Sequence, residues 1–138
     1  MTTITLKGRK IPLLYTTYEM KQIQEEIAPI GRAFKIILGH NPDDEKDTSK
    51  YGGPEQIGSA AKLIRIMGNA GLEESGEVPD LTDKMIMRAM KPKDLMEAVN
   101  ACMNAITEGM TSEIPEKEEE GPVDVTLEEM KKKEQKDG

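Results

Sequence analysis

The sequence predicts a mainly α domain: a short N-terminal β-hairpin, then about five helices, then a disordered acidic tail. Three observations predict it. Apolar residues alternate in twos over residues 3–15, whereas further along they recur at helical spacing in stretches bounded by Pro, Gly and Thr. Composition also breaks near Met110, after which residues 111–138 hold ten Asp or Glu against five Lys. The preceding residues carry sixteen acids and fourteen bases, a net of only −2. The chain therefore divides into a domain of residues 1–110, a usual size for one core, and a tail of residues 111–138 with the composition of a flexible segment.

Each element has a local reason. Ile4 and Leu6, then Lys7 to Lys10, then Ile11, Leu13 and Tyr15 read as a hairpin whose turn uses Gly8, with Pro12 restricting the second strand to an edge. Thr16 and Glu19 have the spacing of a capping box, which opens a helix over Thr17 to Ile27. Pro29 and Gly39 bracket a second helix from Ile30 to Leu38, carrying Phe34, Ile37 and Leu38. His40 to Gly53 is polar and turn-rich and reads as a surface loop.

Pro54 opens a third helix, with Ile57, Ala60, Ala61, Ile64 and Met67 on one side, Lys62, Arg65 and Asn69 on the other, and Gly71 as its stop. After a loop from Leu72 to Leu81, Thr82 caps a short helix through Met90. Pro92 begins the best patterned helix, which ends near Gly109. With one Phe, three Tyr and no Trp, the core must be built mainly from Ile, Leu, Met and Ala, which predicts modest stability.

On the last helix Leu95, Val99, Cys102 and Ile106 form a central stripe flanked by Ala98, Ala101 and Ala105. Met96, Met103 and Met110 follow at seven-residue spacing along the other edge, giving an arc wider than the ~100° a surface helix needs. On the preceding helix Met85, Ile86, Ala89 and Met90 cover one side, and Met87 extends the apolar coverage round it. Burial by neighbouring helices accounts for most of these positions. Unbranched, polarizable thioethers left outside form an adaptable surface for a hydrophobic helical partner or a second copy. Met87, Met96, Met103 and Met110 are the predicted partner-binding residues, with Met87, Met96 and Met110 the expected exposed ones.

Catalytic and metal chemistry finds little support. His40 and Cys102 are single examples of their types; the first follows Gly39 at a helix end, where it suits terminal carbonyls, and the second falls in an apolar stripe, where a buried thiol is ordinary. Asp43, Glu45 and Asp47 begin like a calcium loop, but Thr48 stands where Gly is needed and Pro54 where the bidentate Glu belongs. No nucleotide-binding glycine motif and no nucleophile elbow occurs. The chain is expected to be no enzyme, with no catalytic residue, metal or cofactor. Lys84, Arg88, Lys91 and Lys93 surround a helix-to-helix connection that suggests a DNA reader, yet Asp94 and Glu97 stand near the start of its second helix.

A single cysteine, no apolar leader and no run of ~20 apolar residues predict a cytoplasmic protein that neither crosses a membrane nor, given its acidity, favours nucleic acid. The opening run Ile4, Thr5, Leu6, Lys7, Gly8, Arg9, Lys10, Ile11, Pro12, Leu13, Leu14, Tyr15, Thr16, Thr17, Tyr18, Glu19, Met20 resembles tail assembly chaperones of long-tailed, siphovirus-like phages and prophages. Size, the small β element before a helical body, and the charged C-terminal end are similar too.

The resemblance implies a protein that coats the aggregation-prone tape measure protein in the host cytoplasm, promotes tail tube assembly around it, and departs before the virion is mature. It also implies contact with the tail tube protein through a longer form made by ribosomal frameshifting, for which Lys131 to Lys133 would mark an A-rich slip; the same lysines read equally as a basic patch after Leu127 to Met130. The alternatives are a helical phage connector or adaptor retained in the particle, and a DNA-binding regulator.

Overall fold

The computed structural model describes residues 2–44, 46 and 53–111. Residues 112–138 of the expected tail, and Glu45 and Asp47 of the carboxylate run, lie outside them. The architecture is mainly helical, with an N-terminal two-stranded antiparallel hairpin and five helices.

Strands β1 (Thr3–Leu6) and β2 (Arg9–Pro12) pair with Ile4 opposite Ile11 and Leu6 opposite Arg9. The turn is only Lys7 and Gly8, at φ 51° and 78°, the two left-handed residues of a type I′ turn that matches strand twist. Arg9 and Lys10 are therefore strand residues, where sequence spacing suggested a longer turn. Alternation places Ile4, Leu6, Ile11 and Leu13 on the buried face.

Helix α1 (Thr17–Glu26) begins on the predicted capping box: the Thr16 amide donates to Glu19 Oε1 at 2.9 Å, and the Tyr18 amide donates to Thr16 Oγ1 at 3.2 Å. The Thr16 hydroxyl also bonds Glu19, so this buried carboxylate is satisfied locally. Helix α2 (Ile30–Ile37) ends in a Schellman motif: Gly39, at φ 82°, donates its amide to Ile36 at 3.1 Å, and the His40 amide reaches the Lys35 carbonyl at 2.8 Å. His40 thus serves the terminal carbonyls through its backbone.

Helix α3 (Pro54–Glu74) is the hub, contacting β2, α1, α2, α4 (Asp83–Ala89) and α5 (Pro92–Thr111). Ser59, Ala60, Ala61, Leu63, Ile64, Ile66, Met67, Gly68, Gly71 and Leu72 are all buried along it. Two expectations are corrected here. Ile57 is 46% exposed, because it lies in the first turn, ahead of the stretch that the other helices enclose. Gly71 is no stop: the helix runs one further turn, and a Cβ at Gly71 would lie 1.9 Å from the Pro12 carbonyl oxygen. Gly109 repeats the pattern inside α5, where a Cβ would lie 2.6 Å from the Tyr15 oxygen. Both glycines let the chain around residues 12–15 approach a helix backbone closely, and the Leu14 amide donates to the Met67 carbonyl at 3.2 Å beside them.

The polar side of α3 is a clamp. Arg65 Nε donates to Asp83 Oδ1 at 2.6 Å and its other arm holds Glu26, tying α4 and α1 to the hub, while Lys62 lies 3.5 Å from Asp83. Burial would lower the Arg65 pKa, but hydrogen bonds and charges from Glu26 and Asp83 outweigh it and hold the pKa above the ordinary value. Asn69 exchanges two hydrogen bonds with the Leu81 backbone, at 2.9 and 3.1 Å, pinning the segment that leads into α4.

Candidate partner-binding surface

Helix α4 has seven residues, and Thr82 sets its phase by accepting the Met85 amide at 3.1 Å. Ile86 is fully buried, and Asp83 turns inward to Arg65 and Lys62. At 100° per residue the opposite arc reads Met87, Lys84, Arg88, Met85: two cations flanked by two thioethers. All four are exposed, Met87 at 40% and Met85 at 39%. Met85 therefore belongs to the outer surface, where the sequence reading grouped it with Ile86; one fully buried residue per seven leaves room for only a narrow inner stripe.

The positive charge extends past the helix end through exposed Lys91 and Lys93. Two carboxylates lie at this corner, and each is engaged there. Asp94 Oδ2 accepts the Lys91 amide at 3.3 Å, and Glu97 lies 3.8 Å from Lys93. Among the described residues Lys84, Arg88 and Lys91 have no ion pair. A chain with net charge −7 thus presents a local cationic face edged with apolar side chains.

The other predicted contacts lie on α5. Met96, Met103 and Met110 form one row, since seven residues return to nearly the same angle, and the row is about 21 Å long. Met110 is 68% exposed; Met96 is half-buried, and Met103 is half-buried against the core. The four methionines thus divide into Met87 on α4 and a graded row on α5 whose freest member is at the helix end. Exposed Met85 and the cations Lys84, Arg88 and Lys91 are the features that methionine spacing alone did not reveal; the Thr82 cap, which fixes the helix phase, was the available signal.

Elsewhere among the described residues the reactive groups are buried or engaged. Cys102 is fully buried, and burial pushes its thiol pKa up to about 12, so it carries no thiolate at neutral pH. Asp43 is held below the usual carboxylate range by the Arg32 guanidinium at 2.7 Å. A small groove between α1 and α3 contains Tyr18, Gln22 and Glu73, but its Glu19 and Arg65 are committed to Thr16 and to the Glu26 and Asp83 carboxylates. Among the described residues no three His, Cys, Asp or Glu converge on a metal position, and no helix is long and apolar enough to cross a membrane. No protein-family model, curated protein or solved structure matches the chain.

Proposed function

We propose that the protein is a non-enzymatic tail assembly chaperone of a long-tailed phage or prophage, which in the host cytoplasm holds the tape measure protein soluble while tail tube subunits assemble around it. The exposed thioethers Met85, Met87 and Met110, outside a core built mainly of Ile, Leu and Ala, carry this reading. Flexible apolar side chains suit a long helical client with many similar segments, because they repack against each at little cost. The resemblance of residues 4–20 to this family supplies the client's identity.

Co-expression with the tape measure protein tests it. Met87→Gln with Met110→Gln, both at exposed positions, leaves the helical signal of the purified domain intact and lets the client precipitate. Full client solubility with the double variant rejects these residues as the dock, and precipitation of the client with the parent chain rejects the chaperone reading itself. The cationic corner favours one second reading, a DNA-binding regulator. Duplex binding that weakens steeply with salt would support it, and no binding at low salt removes it.

A further inference from the structure

We propose that the acidic segment of this same chain, residues 113–130, is a ligand of the cationic, methionine-edged face of α4 and the start of α5. The two sequences are complementary in charge. Residues 113–129 hold eight acids, Glu113, Glu116, Glu118, Glu119, Glu120, Asp124, Glu128 and Glu129, against Lys117 alone. The face supplies Lys84, Arg88 and Lys91 with no ion pair of their own among the described residues, while Asp83, Asp94 and Glu97 are occupied inward, at a cap and by Lys93.

Their apolar patterns also correspond. Val123, Val125, Leu127 and Met130 are interleaved with Asp124, Glu128 and Glu129, and the α4 arc interleaves Met85 and Met87 with Lys84 and Arg88. A ligand that is only acidic would leave the thioethers uncovered, and one that is only apolar would strand the cations.

Reach permits the contact. From Thr111 back to Pro92 the helix measures about 30 Å, and the twelve residues from Thr111 to Val123 extend to about 40 Å. Tethering raises the local concentration of the segment to the order of mM, so contacts too weak to hold a separate peptide suffice within one chain. The inference does not depend on the client named above, and its test contains none.

The test uses the full chain carrying Thr126→Cys with a nitroxide on that thiol, Cys102 being buried and protected from the label. At low salt the amide signals from Lys84 to Lys93 are lost relative to the chemically reduced label, while those of Gly31 and Arg32 on α2 persist. Adding Lys84→Glu and Arg88→Glu restores the lost signals, as does high salt. Those substitutions fall on exposed side chains without ion pairs among the described residues, and unchanged amide shifts in α1 and α2 verify the fold. Signals that stay intact in the parent, or losses undiminished by the charge reversal, overturn the proposal. Losses of equal size when nitroxide-bearing chains are mixed with separately isotope-labelled ones assign the face to a second copy and overturn it equally.

Discussion

Replacing Gly71 by Ala places a methyl group where the structure has none to spare. Its Cβ would lie 1.9 Å from the Pro12 oxygen, 2.5 Å from the Pro12 carbonyl carbon and 3.2 Å from the Leu13 nitrogen, all backbone atoms with no rotamer to yield. Ordinary contact starts at 3.4 Å, so the strand must retreat from the helix by about 1.5 Å, the difference between 3.4 and 1.9. That shift breaks the 3.2 Å bond from the Leu14 amide to the Met67 carbonyl and opens the packing of Ile11 and Leu13. Overpacking costs about 1–3 kcal/mol and an unmade buried hydrogen bond about 1–3 kcal/mol, against a gain of about 1 kcal/mol in helix propensity. The net expectation is a loss of about 1–5 kcal/mol, a large share of the ~5–15 kcal/mol that stabilises a domain of this size.

Gly58 in the same helix is the control, since a Cβ there meets nothing within 4 Å. Gly58→Ala should gain about 0.5–1 kcal/mol from propensity and reduced unfolded-state entropy. Urea unfolding followed by helical circular dichroism separates the two: the midpoint falls for Gly71→Ala and rises for Gly58→Ala at unchanged slope. If Gly71→Ala proves as stable as Gly58→Ala, the β2 to α3 approach described here is wrong.

Other expectations follow from single contacts. Thr16→Ala removes the hydroxyl that caps α1 and should cost about 1 kcal/mol in the same unfolding assay, with Thr16→Ser close to the parent. Arg65→Ala removes the ion pairs that α3 makes with Glu26 and Asp83; charge-assisted bonds of this kind, discounted for their partial exposure, predict a loss of roughly 1–2 kcal/mol. Cys102 should resist thiol reagents in the native protein and react at once in urea. Because its pKa rises from 9.0 to about 12 on folding, its contribution to stability is complete below pH 9 and falls as pH climbs toward 12. The slope approaches about 1.4 kcal/mol per pH unit in that window, and Cys102→Ala should flatten the alkaline decline; an identical decline in the variant assigns it to other groups.

Local signals were legible and non-local ones were not. The Thr16 box, Pro29, Gly39, Pro54, Thr82 and Pro92 each act through neighbours a few residues away, so they marked their helix boundaries to within a residue or two. Gly71 and Gly109 carried the composition of a helix stop, but their role is contact with residues 12–15, which no short window contains. The same blindness hid the hub: the widest apolar arc in the sequence lies on α5, whereas the helix that the other elements pack around is α3. Its Lys62, Arg65 and Asn69, which the sequence places only opposite the apolar side, are its attachments to α1, α4 and Leu81. For the candidate surface, seven-residue spacing found the α5 row, but exposure along it depends on what packs beside each residue: Met103 meets the core and Met110 does not.

Arg65 links this buried organisation to the surface. Asp83 is the only carboxylate on α4, one position from Lys84 and five from Arg88, and left free it would offset part of their charge. Arg65 and Lys62 draw it inward instead, so the bond that fastens α4 to the hub is also the one that leaves the outer arc cationic. Exposed like charges four residues apart, as Lys84 and Arg88 are, cost a helix roughly 0.2–0.5 kcal/mol. No ion pair among the described residues offsets that repulsion, so the proposed acidic ligand would relieve a cost that the free domain bears.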